Sequence, residues 1–415
     1  MRKALMMSKW TITGGTFLTP EKVIKKGAIH ISNGKIGKVS SDGSADRINI
    51  DVGDSVVVPG LINAHDHLLG TYFPKVGNGP YLNWLPWDND LKSSPVYEER
   101  QQIENRDLYL LGAYRNLVSG VTLISDLIPH FVGEPFYDIL PTRAIKNFAL
   151  AHSVNSFALA WGDGITEEYR KAVKEDIPFV THIAEGFDEE TFQDIKTVER
   201  LGGLGDHSVF VHCLAFSDED LDLVKKRGAS CVWCGNSNMF MYNKTMDVRA
   251  FIEKGINLCI GTDSPMTGGE NLLYEMKYDK VLYERLYHEE LPDDLIVKMV
   301  TVNPARGFRQ KRMGQIEEGY TADIFACRHK SGDPARSVVQ AALKDVVLVV
   351  IEGNPVYGDR RYASVFDELG VKYQEIRLQG ADKIIVGDPI GLLRRISRAV
   401  GFKKEFPFLP IEFDA

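Results

Sequence analysis

Two imidazoles close an apolar run, Val-Val-Val-Pro-Gly-Leu-Ile-Asn-Ala-His-Asp-His, and these residues, His65 and His67, are the ones best placed to do chemistry. In a strand, residues two apart project to one face, and neutral imidazole is the commonest protein ligand for zinc and similar ions. A lone His-x-His reads equally well as a polar patch. Three later segments change that reading: His182 with Glu185 in Thr-His-Ile-Ala-Glu, His212 after Val-Phe-Val, and Asp263 in Ile-Gly-Thr-Asp-Ser. Each closes a short apolar run that a helix-like stretch follows, so all are predicted to meet at one mouth as a metal site.

The elements that must hold them alternate. Amphipathic stretches over 98–117, 189–201, 218–226, 248–254 and 272–287 separate the apolar runs. Such alternation argues for a parallel sheet closed into a (β/α)8-type TIM barrel, in which chemistry sits at the C-terminal strand ends at a pitch of roughly 30 residues per unit. His182, His212 and Asp263 fit that pitch if one further strand lies between the last two. The 55 or so residues between Asp126 and Thr181 are too few for the three units that must cross from the second strand to the fifth, roughly 90 at that pitch. The barrel is therefore expected to be distorted there, with one or two strands in 148–160 and almost no helix between them.

Both ends read as short strands. Residues 10–15 and 27–39 alternate in the strand period, with Asn33-Gly34 as a hairpin turn, and 322–327 and 346–351 form a matching set. Neither ribbon can bury itself, so the two are predicted to pair into one small β-sandwich domain. The expected division is 1–58 with 312–361 for that domain, 59–311 for the barrel and 362–415 for a C-terminal tail. The tail's basic amphipathic stretch, 390–400, suits packing on the barrel or on a partner better than a membrane surface.

Composition bounds the function. With 415 residues, 44% apolar, the chain can bury a large core and a second small domain. A net charge of −8 offers no basic footprint for nucleic acid. No run is long enough to span a membrane, and residues 1–8 are too short and polar-flanked for a signal peptide, so a cytoplasmic location is expected. Five cysteines argue against a disulfide framework. Cys231-x-x-Cys234 lies in what reads as a buried strand, not at the helix start that a redox pair needs.

These pieces together resemble the amidohydrolase superfamily, and within it the branch of cytosine, guanine and thioadenosine deaminases and triazine hydrolases. The resemblance runs from about residue 10 to about residue 360. It rests on Pro59-Gly60-Leu61-Ile62-Asn63-Ala64-His65-Asp66-His67, Gly120-Val121-Thr122 with Asp126, His182-Ile183-Ala184-Glu185, Gly261-Thr262-Asp263, Asn303-Pro304-Ala305-Arg306 and Gly319-Tyr320-Thr321-Ala322-Asp323. It implies one divalent metal, Zn2+ with Fe2+ as the other candidate, held by His65, His67, His182 and Asp263. His212 would then hold the attacking water, Asp263 would accept its proton, and Glu185 would protonate the substrate nitrogen. Binuclear relatives use a modified lysine; Lys146 is the nearest candidate, but it precedes its apolar run, and one metal is favoured.

The resemblance implies cleavage of a carbon-nitrogen bond in a small molecule, foremost deamination of an aromatic heterocycle. The alternatives are cyclic-amide opening as in imidazolonepropionase-like members, and a catalytically silent scaffold. No nucleic-acid or membrane partner is expected, and a homo-oligomer is left open. Trp84 and Trp87 in the aromatic insertion, His152 and Asn238 are the candidates for contact with substrate. One departure is plain: the family usually shows a proline ahead of Ser-Asn at the seventh strand, where this chain has Trp233-Cys234-Gly235-Asn236-Ser237-Asn238.

Overall fold

The apolar run ahead of His67 forms strand β1 (Leu61–Asp66), buried along its whole length. The computed structural model of the protein describes residues 9–414; residues 1–8, expected not to be a signal peptide, lie outside the described residues. After β1 come α1 (Trp84–Ser93), α2 (Asn105–Val118), β2 (Val121–Asp126), α3 (His130–Tyr137), β3 (Arg143–Ala144), β4 (Ala149–Leu150), α4 (Ile165–Glu175) and β5 (Phe179–Ile183). Then follow β6 (Ser208–His212), β7 (Ser230–Trp233), α5 (Gly235–Tyr242), β8 (Asn257–Ile260) and α6 (Leu272–Tyr287).

These eight strands run parallel in two hydrogen-bonded arcs, β1-β2-β3 and β4 through β8 in chain order. Strands β5 to β8 are buried on both faces, which is why they read as unbroken apolar runs. Just past β8, the Asp263 amide donates to the His65 carbonyl at 3.0 Å and ties the second arc to the first. The short span before β5 is met by cutting strands: β3 and β4 have two residues each and no helix between them.

The helix expected over 98–117 is instead two. Residues Pro95–Gln101 and α2 are separate because Glu104 takes extended backbone to start α2. All but the first two residues of α2 are buried, more than an amphipathic surface helix allows. Its outer face is covered by α7 (Pro389–Val400), whose Arg395 pairs with Asp107 at 2.8 Å.

The chain ends meet in two sheets. In one, Lys9–Thr13 pairs with Ala28–Ser32, which turns at Asn33 and Gly34, both at positive φ, into Lys35–Ser40. In the other, Ser55–Pro59 pairs antiparallel with Ile324–Arg328, from Ile324 opposite Pro59 to Arg328 opposite Ser55. That sheet continues through Val346–Ile351 and Asn354–Asp359 into Ala381–Val386 and Tyr373–Leu378. Trp10, Ile12 and Ile31 from the first sheet share a core with Val57, Ile324 and Leu348 from the second. None of the described helices is long and apolar enough to cross a membrane.

Candidate metal centre and catalytic pocket

The strand ends bring four imidazoles and a carboxylate together. The His65 ring lies 4.7 Å from that of His67, 5.0 Å from His182 and 5.5 Å from His212. One carboxylate oxygen of Asp263, Oδ1, lies 3.9 Å from His65 Nε2 and 3.8 Å from His67 Nε2. These separations are too long for hydrogen bonds, yet shorter than two metal-ligand bonds of about 2.0–2.2 Å end to end.

Hydrogen bonding to the outer nitrogens turns the inner ones toward the centre. His67 Nδ1 donates to the Leu127 carbonyl at 2.9 Å and His182 Nδ1 to the His152 carbonyl at 2.7 Å, so Nε2 carries the lone pair in each. His65 is the sharpest test of whether an ion fits: it is fully buried, and neither ring nitrogen has a protein partner. A buried imidazole without partners is costly. Burial first, then the neighbouring imidazoles, push the His65 and His182 pKa values well down, leaving neutral rings ready to ligate. The donor set of imidazole nitrogens and one carboxylate fits a divalent ion of the zinc class.

Asp263 is held as the anionic partner. Burial pushes its pKa up, but His67, His212 and the hydroxyls of Thr267 and Ser237 outweigh burial and leave it below the ordinary value. Ser237 and Thr267 both donate to Oδ2 at 2.8 Å, while the Ser264 amide donates to Oδ1 at 2.7 Å. Behind the ligands Arg115, 1% exposed, uses its whole guanidinium: Nη1 on both Asp66 oxygens at 2.9 Å, Nη2 on the Asp263 and Gly269 carbonyls at 3.0 and 2.8 Å, and Nε on the Glu270 carbonyl at 2.7 Å. It clamps the β1 end to the loop that carries Asp263. Ala184, His212, Cys213 and Asp263 all hold positive φ, a conformation that costs a non-glycine residue about 1–2 kcal/mol.

Glu185 and His212 face each other, Oε1 to Nε2, at 3.5 Å. Tyr242 donates to the same Glu185 oxygen at 3.0 Å. Burial raises the Glu185 pKa despite the nearby His212. His212 Nδ1 donates to Asn238 Oδ1 at 2.9 Å. Asn238 was expected against the substrate; it sits behind His212 instead, fully buried, and orients that ring.

The pocket above the centre has a volume of about 70 Å3 and is lined by Trp84, Trp87, His152, Met241 and Met266 with the residues already named. Trp84 and Trp87 therefore reach the site from α1, and His152 from just past β4. Burial pushes the His152 pKa down to about 3, so its ring is neutral. Lys146 is half exposed and pairs with Asp138 on the surface, away from the centre. All five cysteines are free and buried, Cys231 and Cys234 among them.

Ser237, Thr267, Tyr242 and Arg115 were not singled out from sequence. Only Ser237 left a trace, in the departure at the seventh strand. That departure has a physical cause: a Cβ at Gly235 would lie 2.0 Å from an Asp279 oxygen, and Glu275 Oε1 accepts the Asn236 amide at 2.8 Å. Two α6 carboxylates thus crowd the start of α5, and glycine fits where a ring would not.

Comparison with known proteins gives the same picture. The amidohydrolase family profile matches residues 156–356. A 5-methylthioadenosine/S-adenosylhomocysteine deaminase of Syntrophobacter fumaroxidans is 28% identical over 393 residues, covering 81% of this chain and 89% of the relative. A 5'-deoxyadenosine deaminase of Methanopyrus kandleri is 26% identical, covering 83% and 93%. Among solved structures, the zinc-complexed atrazine chlorohydrolase of Arthrobacter aurescens superposes with a TM-score of 0.72 at 18% identity, covering 87% of this chain and 99% of that one. Its fold likeness supports the mixed α/β architecture of the two parallel arcs. With the family match over 156–356, the relatives aligned along most of the chain and the clustered histidines taken together, the chain is similar to the amidohydrolase family.

Proposed function

We propose that this protein is a metal-dependent aminohydrolase that deaminates a small aromatic heterocycle. The observation that carries the reading is the pairing of a buried Glu185, its pKa raised by burial, with His212 at 3.5 Å, directly beside a cluster of imidazoles and a carboxylate that could hold a metal ion. Relatives named as deaminases support the choice of reaction. Bound by His65, His67, His182 and Asp263, a zinc ion would lower the pKa of water toward neutrality.

The chain's own residues supply the rest. Hydrolytic deamination adds the oxygen of water to the amino-bearing ring carbon and expels ammonia. His212, aimed by Asn238, is placed to orient the water, and Asp263 to take a proton from it. Glu185, steadied by Tyr242, is placed to protonate the ring nitrogen and then to pass a proton to the departing amine. Trp84 and Trp87 offer apolar walls to a flat ring.

Two arcs closing as one distorted eight-stranded barrel, with a small β-sandwich domain from 1–58 and 312–361 that Tyr373–Leu378 and Ala381–Val386 extend into the expected tail, is the architecture that best accounts for this placement. The pairing of Ser55–Pro59 with Ile324–Arg328 supports it. The reading is tested by assaying ammonia release from zinc-loaded protein across purines, pyrimidines, pterins and cyclic ureides. Ring opening without ammonia would replace deamination with cyclic-amide hydrolysis.

A further inference from the structure

We infer that a strap over the pocket, residues 81–84 seated on Gly186, restricts this enzyme to free heterocycles of one or two rings and shuts out nucleosides; the inference rests on the aminohydrolase reading above. The pocket of about 70 Å3 is far below the roughly 300–1,000 Å3 of sites that take drug-sized ligands. That space suits a small flat ring better than a ring carrying a sugar.

The strap is fastened on both sides. The Tyr81 amide donates to the Met241 carbonyl at 2.8 Å, and the Phe187 amide to the Leu82 carbonyl at 2.8 Å. Asn83 Nδ2 donates to Asp188 at 2.7 Å, and Asn83 bridges Gly186 in antiparallel fashion. Gly186 permits this approach, since a Cβ there would lie 2.7 Å from the Leu82 carbonyl oxygen and 3.0 Å from Asn83. Trp84 cannot swing aside freely: its ring packs edge-on at 4.8 Å against His152, which packs edge-on at 4.7 Å against Trp161.

Chemistry points the same way as size. None of the described residues lining the pocket is Lys or Arg, so nothing there complements a phosphate or carboxylate appendage. The Trp84 indole N–H is buried with no protein acceptor, and a ring nitrogen or carbonyl oxygen of a bound heterocycle is the partner it lacks. The nucleosides that appear in the names of its relatives are the class the strap excludes.

The test compares adenine, guanine and cytosine with their nucleosides, by ammonia release and by thermal shift of the zinc-loaded protein. At least one base should be turned over with kcat/KM roughly 100-fold or more above its nucleoside, and only bases should raise Tm. Trp84→Ala and Gly186→Ala, which remove the wall and unseat the strap, should each narrow that ratio at least about tenfold. A nucleoside turned over within about tenfold of its base by the unaltered protein, or a ratio that neither variant moves, overturns the inference. Absence of ammonia from every compound would count against the aminohydrolase reading, while the thermal shifts still decide the size limit: protection by nucleosides, or by neither class, refutes it.

Discussion

The floor and the roof of this pocket are built differently. On the floor, every side chain named above as facing the centre leaves a strand end, and all but His65 are locked from behind: His67 and His182 by backbone carbonyls, His212 by Asn238, Asp263 by two hydroxyls and an amide. Arg115 then ties the β1 end to the Asp263 loop with every donor it has. The roof is a strap on two loops, held by three hydrogen bonds to backbone or side-chain oxygens and by the packing of Trp84. A metal centre tolerates little misplacement, so it belongs on rigid elements, whereas the covering segment must open for substrate. Floor variants should therefore change metal content and stability, and roof variants selectivity.

The largest effect should come from His182→Ala. Loss of a ligand should lower bound zinc, measured by elemental analysis, and reduce turnover by roughly four orders of magnitude or more, since water without the ion reverts from a pKa of about 7 to about 15.7. Full metal occupancy in that variant would remove His182 from the centre. Glu185→Gln should separate the two readouts: metal retained, turnover down by about 10²–10⁴-fold for loss of the general acid. Near-normal turnover would make Glu185 a binding group and leave His212 and Asp263 as the proton carriers.

The floor's chemistry was legible before the fold was. His65, His67, His182, Glu185, His212 and Asp263 stand at the ends of apolar runs, and a strand-helix pitch is a local pattern that predicts where such residues meet. What held them was not legible. Arg115 sits on a helix that reads as amphipathic, and only the tail helix, folding back from nearly 300 residues away, buries the face that sequence assigns to solvent. Ser237 and Tyr242 act through hydrogen bonds that cross between elements, Thr267 through one inside the Asp263 loop, and a lone hydroxyl carries no local signal. The roof was half visible: its aromatic residues were, but the seat on Gly186 depends on one close backbone approach.

Arg115→Met tests whether the clamp serves the floor. It strands Asp66, whose pKa burial already raises against the pull of Arg115. Breaking a buried pair from one side typically costs about 3–5 kcal/mol, and loss of support behind ligands weakens metal affinity about 10–100-fold. Chemical denaturation and competition with a chelator measure the two. Unchanged metal affinity with lowered stability would make Arg115 a fold residue only. Ser237→Ala should be milder, at the low end of that affinity range, because Thr267 still holds Asp263.

The smallest effect, and the one that joins floor to roof, concerns Asp194. Its Oδ2 accepts the Ala184 amide at 2.9 Å, between His182 below and the Gly186 seat above. Burial, then the negative charges of Asp188, Glu190 and Glu185, push its pKa up to about 7 against the pull of that amide. A raised carboxyl pKa means the folded state keeps a proton that the unfolded chain gives up near pH 4. The stability this contributes is complete below about pH 4 and is lost as pH rises through about 7. Asp194→Asn, always neutral and still able to accept the amide hydrogen bond, should escape that loss. Its Tm should match the unaltered protein near pH 4 and exceed it by roughly a few degrees at pH 8, a small shift because the chain is long. The same ionisation adds charge beside Asp188, which anchors Asn83 of the strap, so selectivity for bases over nucleosides should relax above pH 7 in the unaltered protein and hold in Asp194→Asn. Parallel Tm curves from pH 5 to 8.5 would mean that Asp194 titrates no differently in the folded and unfolded chains, and the floor and roof would then be coupled by packing alone.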